Sequence, residues 1–389
     1  MLINVVSRFR SGFATGGVGL LLWTCIAGWV VSAHAQETKL IIFDAPGADR
    51  TPGDNNGTYP AGINARGAIT GSYQDVNNTF HGFLRSPNGK FTNFEAPGAD
   101  TGSFHGTSPT SINDLGTIAG EYTDANGFSH GFLRAPDGKF TTFDAPGAGG
   151  YGTTPINLNA EGAVVGYYTE ANYVFYAFVR NPDGTFKTFA GPGACNTGTS
   201  TGCFGNEATN ISISGTIVGN YMDSNFVSHG LVRRPDGKIL SYDVPGAGTE
   251  PGSYQGTGCP GCFSGFNVRG DIAATYVDAD NVIHGFVRDP EGRFTTFDAP
   301  GAGTGPFQGT GCFSDCPVTL NNRGALTGVY VDANYVQHGY LRNPDGKILT
   351  IDPNGSTGTL PYSMNDSGAI TGYYLDGNYV SHGFLRIPE

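Results

Sequence analysis

The sequence predicts an all-β protein, a seven-bladed β-propeller of four-stranded repeats about 50 residues long, closed by pairing of its N-terminal and C-terminal strands. Three observations predict it. Two sequence markers alternate strictly along the chain, seven times each. Every copy carries short segments of period-two apolar alternation, broken every 8 to 12 residues by turn chemistry. The chain also starts and stops out of phase with the repeat, so that its two ends complete one shared copy.

The first marker is an aromatic-Asp-x-Pro-Gly-Ala string starting at Phe43, Phe94, Phe143, Phe189, Tyr242 and Phe297, degenerate at Ile351. The second is a His-Gly-aromatic string at His81, His130, His284, His338 and His382, with variants at Tyr176 and His229. Between them lies a central motif such as Asn64, Gly67, Ile69, Gly71, Tyr73 and Asp75, with Ser212 replacing the Asn once.

Within the first full copy, strand a ends at Ile63-Asn64 and strand b runs through Ile69, Gly71 and Tyr73. Strand c covers His81 to Arg85 and strand d covers Lys90 to Phe94. The links are Asn-x-x-Gly, then Asp-x-Asn or Asp-x-Asp, then Pro-Asn-Gly or Pro-Asp-Gly. Proline presets φ at the second turn position, and glycine takes the position that needs φ > 0. The segment Leu40 to Phe43 reads as a d strand and His382 to Arg386 as a c strand, so the two termini supply one blade and remove an exposed edge.

Residues 1–35 read as a signal peptide: Arg8 and Arg10, an apolar run from Val18 to Val31, and Ala33-His34-Ala35 before the cut. Residues 36–389 then form a single domain with no transmembrane segment, exported to the periplasm, the medium or the cell surface. That segment carries 33 acidic against 19 basic residues, which excludes nucleic acid as a partner. Its six cysteines, Cys195 and Cys203, Cys259 and Cys262, Cys312 and Cys316, lie pairwise in three d-to-a loops and read as disulfides in an oxidising compartment. A zinc site from Cys259, Cys262, Cys312 and Cys316 is the sharper alternative.

The repeated polar residues read as structure. Asp-x-Asn turns such as that at Asp75 lack the remaining ligands of a calcium loop and are better explained as Asx turns. The recurring histidines lack the asymmetry of a catalytic constellation, and a His, an Asn and a Tyr at fixed offsets are expected to hydrogen-bond within each blade. Arginines closing the c strands, such as Arg85 and Arg134, are expected to solvate the opposite face. The string Gly127-Phe128-Ser129-His130-Gly131 matches a hydrolase motif but opens a c strand with no helix after it. No cofactor, metal or catalytic set is expected.

Function is expected where the repeat breaks. Blades four to six carry the longest d-to-a loops, spanning Ala194 to Ile211, Ala247 to Phe266 and Ala302 to Leu320. Loops on a rigid scaffold commonly bind. Phe204, Tyr254, Gln255, Phe263, Phe307 and Phe313 are the side chains there suited to a ligand.

The Asn-x-x-Gly-x-Ile-x-Gly core followed by His-Gly-Phe resembles the bacterial extracellular repeat proteins named for a His-Ala-Phe string; Tyr176-Ala177-Phe178 keeps the Ala and loses the His. The resemblance covers residues 39 to 386 and implies an exported, propeller-like repeat protein with no established activity. The expectation is a non-catalytic binding or scaffold module for an extracellular or envelope polysaccharide or protein. The alternatives are a polysaccharide lyase or hydrolase acting at the central channel and a purely structural envelope protein.

Overall fold

The computed structural model describes residues 39–53, 56–195, 205–258, 261–312 and 316–388. The signal peptide expected at residues 1–35 lies outside the described residues, as do Phe204, Phe313, Cys203 and Cys259.

Among the described residues there is no helix, and the protein is all-β and propeller-like. Each copy folds as an antiparallel meander of strands a to d, with strand a of the fifth copy in two pieces, Gly256–Thr257 and Gly265–Phe266. In the first copy the strands are Thr58–Ile63, Ile69–Gln74, Phe80–Arg85 and Phe91–Phe94, in the order in which the sequence places strands a to d. The last sheet is built from Gly358–Met364, Ile370–Leu375 and Ser381–Ile387, and its fourth strand is Lys39–Phe43, paired from Lys39↔Ile387 to Phe43↔Gly383. The two ends of the described chain therefore share one sheet.

The core lies between neighbouring sheets. One cluster joins Phe43, Ala45 and Leu385 of the last sheet to Ile63, Ile69 and Phe83 of the first. Another joins Val165 and Val179 to Ala208, Ile211 and Ile217 of the next copy. Such contacts make each sheet depend on its neighbours, as in other repeat architectures.

The His-Gly-aromatic marker is explained by this packing. Phe83 is wholly buried. A side chain at Gly82 would meet the Phe94 ring at 2.5 Å, so the d-strand aromatic needs glycine opposite it. The histidine ring stacks on the strand-b tyrosine, as His81 on Tyr73 with centroids 5.0 Å apart.

Two expectations are corrected. The arginines closing the c strands do not solvate a face. Arg85, Arg134 and Arg180 are buried, each lying over a d-strand aromatic of the preceding copy, with the Arg85 guanidinium 4.8 Å from the Phe43 ring and Arg134 4.8 Å from Phe94. The cation gains the ring's π face and the long stem fills space between sheets. The asparagines, in turn, do not bond within one sheet alone. Asn64 Oδ1 accepts from Arg66 and Ala68 in its own turn, while its Nδ2 donates to Asn113 O of the next copy at 3.2 Å. Asn113 reaches Asn159 O, Asn159 reaches Ser212 O, and Asn365 reaches back to Asn64 O at 3.0 Å.

Candidate binding site

Strand a is the outermost strand of its own copy; where it begins, in several copies, it makes one parallel bridge to strand c of the preceding copy, as Gly106 to Phe80 and Gly256 to Ser228, and its sequence keeps the rest of that edge from pairing. In four copies a proline, Pro60, Pro109, Pro155 or Pro361, opens a β-bulge. Proline has no N–H for a ladder, and a bulge leaves one residue unpaired and re-aims it. The extra residues Ala61, Thr110, Ile156 and Tyr362, with Thr209 at the bulge after Ala208, all line one cavity. Strands a and the segments leading into them from all seven copies contribute to its wall, which encloses about 560 Å3. A second chamber of about 310 Å3 is lined by the Asn-x-x-Gly turns, including Asn64, Asn113 and Asn365.

The larger cavity has a distinctive chemistry. Tyr59, Tyr362, Tyr373, Phe80, Phe104 and Phe263 supply aromatic surface. Tyr59 meets Tyr373 edge to face at 5.2 Å and Tyr362 lies 5.8 Å from Tyr373, making a three-ring wall between the last sheet and the first. Ser72, Gln74, Asn157, Asn210 and Ser363 add neutral donors and acceptors. Among the lining residues there is no Asp, Glu, His, Cys, Lys or Arg. Burial pushes the Tyr59 phenol above its ordinary range, so it remains a neutral hydrogen-bonding group.

Two strand carboxylates, half-buried Glu121 and buried Glu207, break the repeat, and neither lines this cavity. Glu121 accepts from Thr154 Oγ1 at 2.8 Å, and burial pushes its carboxyl up. Glu207 accepts from Gly261 N at 3.1 Å. Both tie neighbouring segments together.

The repeated histidines stand between two acids. His81 places Nδ1 2.6 Å from Glu95 and Nε2 3.4 Å from Asp75; His130, His229, His284, His338 and His382 repeat this arrangement. The turn aspartates serve as Asx caps, Asp75 Oδ1 accepting from Asn77 N and Thr79 N at 2.9 Å. Among the described residues no group of three or more His, Cys, Asp or Glu side chains is disposed to hold a metal.

The loop residues singled out in the sequence separate on folding. Phe263 lines the cavity. Phe307 is 44% exposed on the loop leading to copy six, and Tyr254 packs against Phe226 at 5.8 Å. Gln255 is wholly buried, its Nε2 donating to Ala279 O and Asn281 Oδ1 and its Oε1 accepting from Glu250 N, so it braces the loop. Cys312 and Cys316 form a disulfide, and Cys195 and Cys262 are disulfide-bonded too, which removes the thiolates a zinc site would need. Disulfides belong to an oxidising, exported environment. Among the described residues no helix is long and apolar enough to cross a membrane.

The rest of the cavity wall was missed in the sequence because its residues come from the repeat itself. The usable signal was the recurrent proline in a strand otherwise rich in β-formers, which marks an edge or a bulge.

No family model matches the chain. No curated protein matches it either. Among solved structures, the BP39L lectin from Burkholderia pseudomallei is similar with a TM-score of 0.52 and 10% identity, over 91% of this chain and 99% of that one. The S511A mutant of puromycin hydrolase, complexed with PGG, gives a TM-score of 0.54 and 14% identity over 85% of this chain. The chain spans about half the length of that hydrolase, 53%. At these identities the likeness shows a shared propeller-like fold.

Proposed function

We propose that residues 36–389 form a closed seven-bladed propeller that binds a neutral saccharide in the cavity framed by its a strands, without transforming it. The observation that carries this reading is the cavity wall: aromatic rings and neutral amides and hydroxyls, with no acid, base or charged group among the lining residues. Aromatic faces suit the C–H faces of pyranose rings, and a few convergent polar groups orient a ligand in a mostly apolar pocket. Glycoside cleavage ordinarily uses a pair of carboxylates about the bond, and Glu121 and Glu207, the carboxylates that break the repeat, are engaged elsewhere. The likeness to a lectin supports the same reading at the level of the fold.

Closure is supported by the pairing of Lys39–Phe43 with the last strand and by the return of the asparagine chain from Asn365 to Asn64. The leader and the disulfides support export of a repeat protein of the His-Ala-Phe kind.

Calorimetric titration of residues 36–389 with neutral tri- and tetrasaccharides tests the proposal. Binding should weaken about tenfold, ~1.4 kcal/mol, in Phe263→Ala and in Tyr362→Ala. New reducing ends in the same mixtures would sink it, as would saccharide binding that ignores both substitutions.

A further inference from the structure

Four-stranded meanders send their b-to-c turns and d-to-a loops to one face, and the contacts confirm it: Phe104 N donates to Asn78 O, Phe307 N to Asn281 O, and Tyr151 packs on Tyr173 at 5.0 Å. This face gathers the exposed aromatics. Among the described residues, every aromatic side chain classed as exposed lies on these turns and loops, while the opposite turns expose aliphatic residues such as Leu115, Ile213 and Val268.

Five of these aromatics also adopt a left-handed backbone: Phe104 (φ 63), Tyr173 (φ 61), Phe307 (φ 62), Tyr335 (φ 62) and Tyr379 (φ 59). A bulky residue at φ > 0 is an outlier, and such strain marks positions held for a purpose beyond the local fold. Burial does not offset it, since Tyr335 is 62% and Tyr379 54% exposed. The turn itself does not require a ring. Asn78 and Asn281 fill the equivalent turn position with the same φ of 62, and asparagine tolerates that conformation.

We infer that this aromatic crown is a second binding surface, which engages an extended neutral polysaccharide at several points around the rim of the cavity. The inference rests on the saccharide reading of that cavity. The rings are dispersed over several copies, so an occupant must be broad to use them together. Six turn aspartates and the acids paired to the histidines stand beside them, which disfavours polyanions such as nucleic acids, sulfated glycans and polyuronates. The near absence of exposed aliphatic side chains on this face, Val76 apart, suits stacking on sugar faces better than a broad apolar protein contact.

The experiment compares the wild type with the triple variant Tyr173→Asn, Tyr335→Asn, Tyr379→Asn, which removes three rings and keeps a residue this chain already uses in the same turn. Affinity electrophoresis through gels containing dextran, mannan or β-glucan reads polymer binding, and calorimetry with tetrasaccharides of the same polymers reads the cavity. The triple variant should bind polymer at least tenfold more weakly, keep its tetrasaccharide affinity, and melt no lower than the wild type. Unchanged retardation in the variant overturns the crown, as does a wild type that binds tetrasaccharides but gains nothing from chain length. A wild type that binds neither overturns the cavity reading as well. Loss of self-association in the variant, seen by sedimentation velocity with polymer binding intact, would assign the rings to a second copy and overturn the polysaccharide.

Discussion

The histidine between two carboxylates is where this fold meets pH. Hydrogen bonding to Asp243 holds the His229 imidazole above its ordinary value of 6.5, and Asp298 does the same for His284. A raised folded pKa contributes stability in full below 6.5, and that contribution is lost as pH climbs through the folded value. Carboxylates behave in the opposite sense. Asp124 is held down from 3.8 to about 2, first by the Phe128 backbone N–H, and its contribution is present above 3.8 and lost as pH falls toward 2. Stability should therefore peak between these limits, at about pH 4–6.5. The double variant His229→Asn, His284→Asn should lose about 1 kcal/mol at pH ~5.5 and much less at pH ~9, read from urea midpoints at both values. An equal loss at both would mean that the rings serve only as packing. That these histidines are structural could be read from their recurrence in the sequence. Their acid partners could not, because Glu95 and Asp75 reach His81 only once strands b, c and d are laid side by side.

At the scale of the element, six of the seven copies are fastened to the one before by an arginine over an aromatic ring. The strand pattern, the turn chemistry and the phase of the repeat were legible, since they depend on neighbours a few residues apart. The arginine was misplaced because its position beside an exposed c-to-d turn is a local fact, whereas the ring that covers it belongs to a different sheet. The bulges were missed for a related reason: they aim residues of a regular repeat into a cavity that exists only when all the a strands converge. Arg134→Gln should cost about 1–2 kcal/mol, because it removes both the charge over Phe94 and the stem between the sheets. Ile351 stands where the other copies carry an aromatic, so Arg386 has no ring of this series to cover. Arg386→Gln should therefore cost measurably less than Arg134→Gln in paired chemical denaturation, and equal costs would show that stem packing, without the ring, does the fastening.

At the scale of the whole molecule the question is what happens when the two ends are separated. Phe43 is buried in a cluster with Ile69, Phe83 and Leu385, its ring lies under Arg85, and Asp44 beside it pairs with His382 at 2.9 Å. One short strand thus joins copies far apart in sequence. In an open stack, losing it would fray one end and leave the remaining sheets near their original stability, because each repeat would still hold its neighbour. In a closed ring its removal exposes an unpaired edge and frees two interfaces together. Phe43→Ala should cost about 3–5 kcal/mol by cavity formation alone, a drop of about 4–7 °C in a chain of this size. Deleting residues 36–44 should lower the midpoint of one cooperative transition further still, and a synthetic peptide of residues 36–44 added in trans should restore part of it. Calorimetry of the truncated chain decides the matter. A single shifted transition fits a ring whose sheets stand or fall together, whereas an unshifted main transition with a small early shoulder would mean that the sheets form an open row.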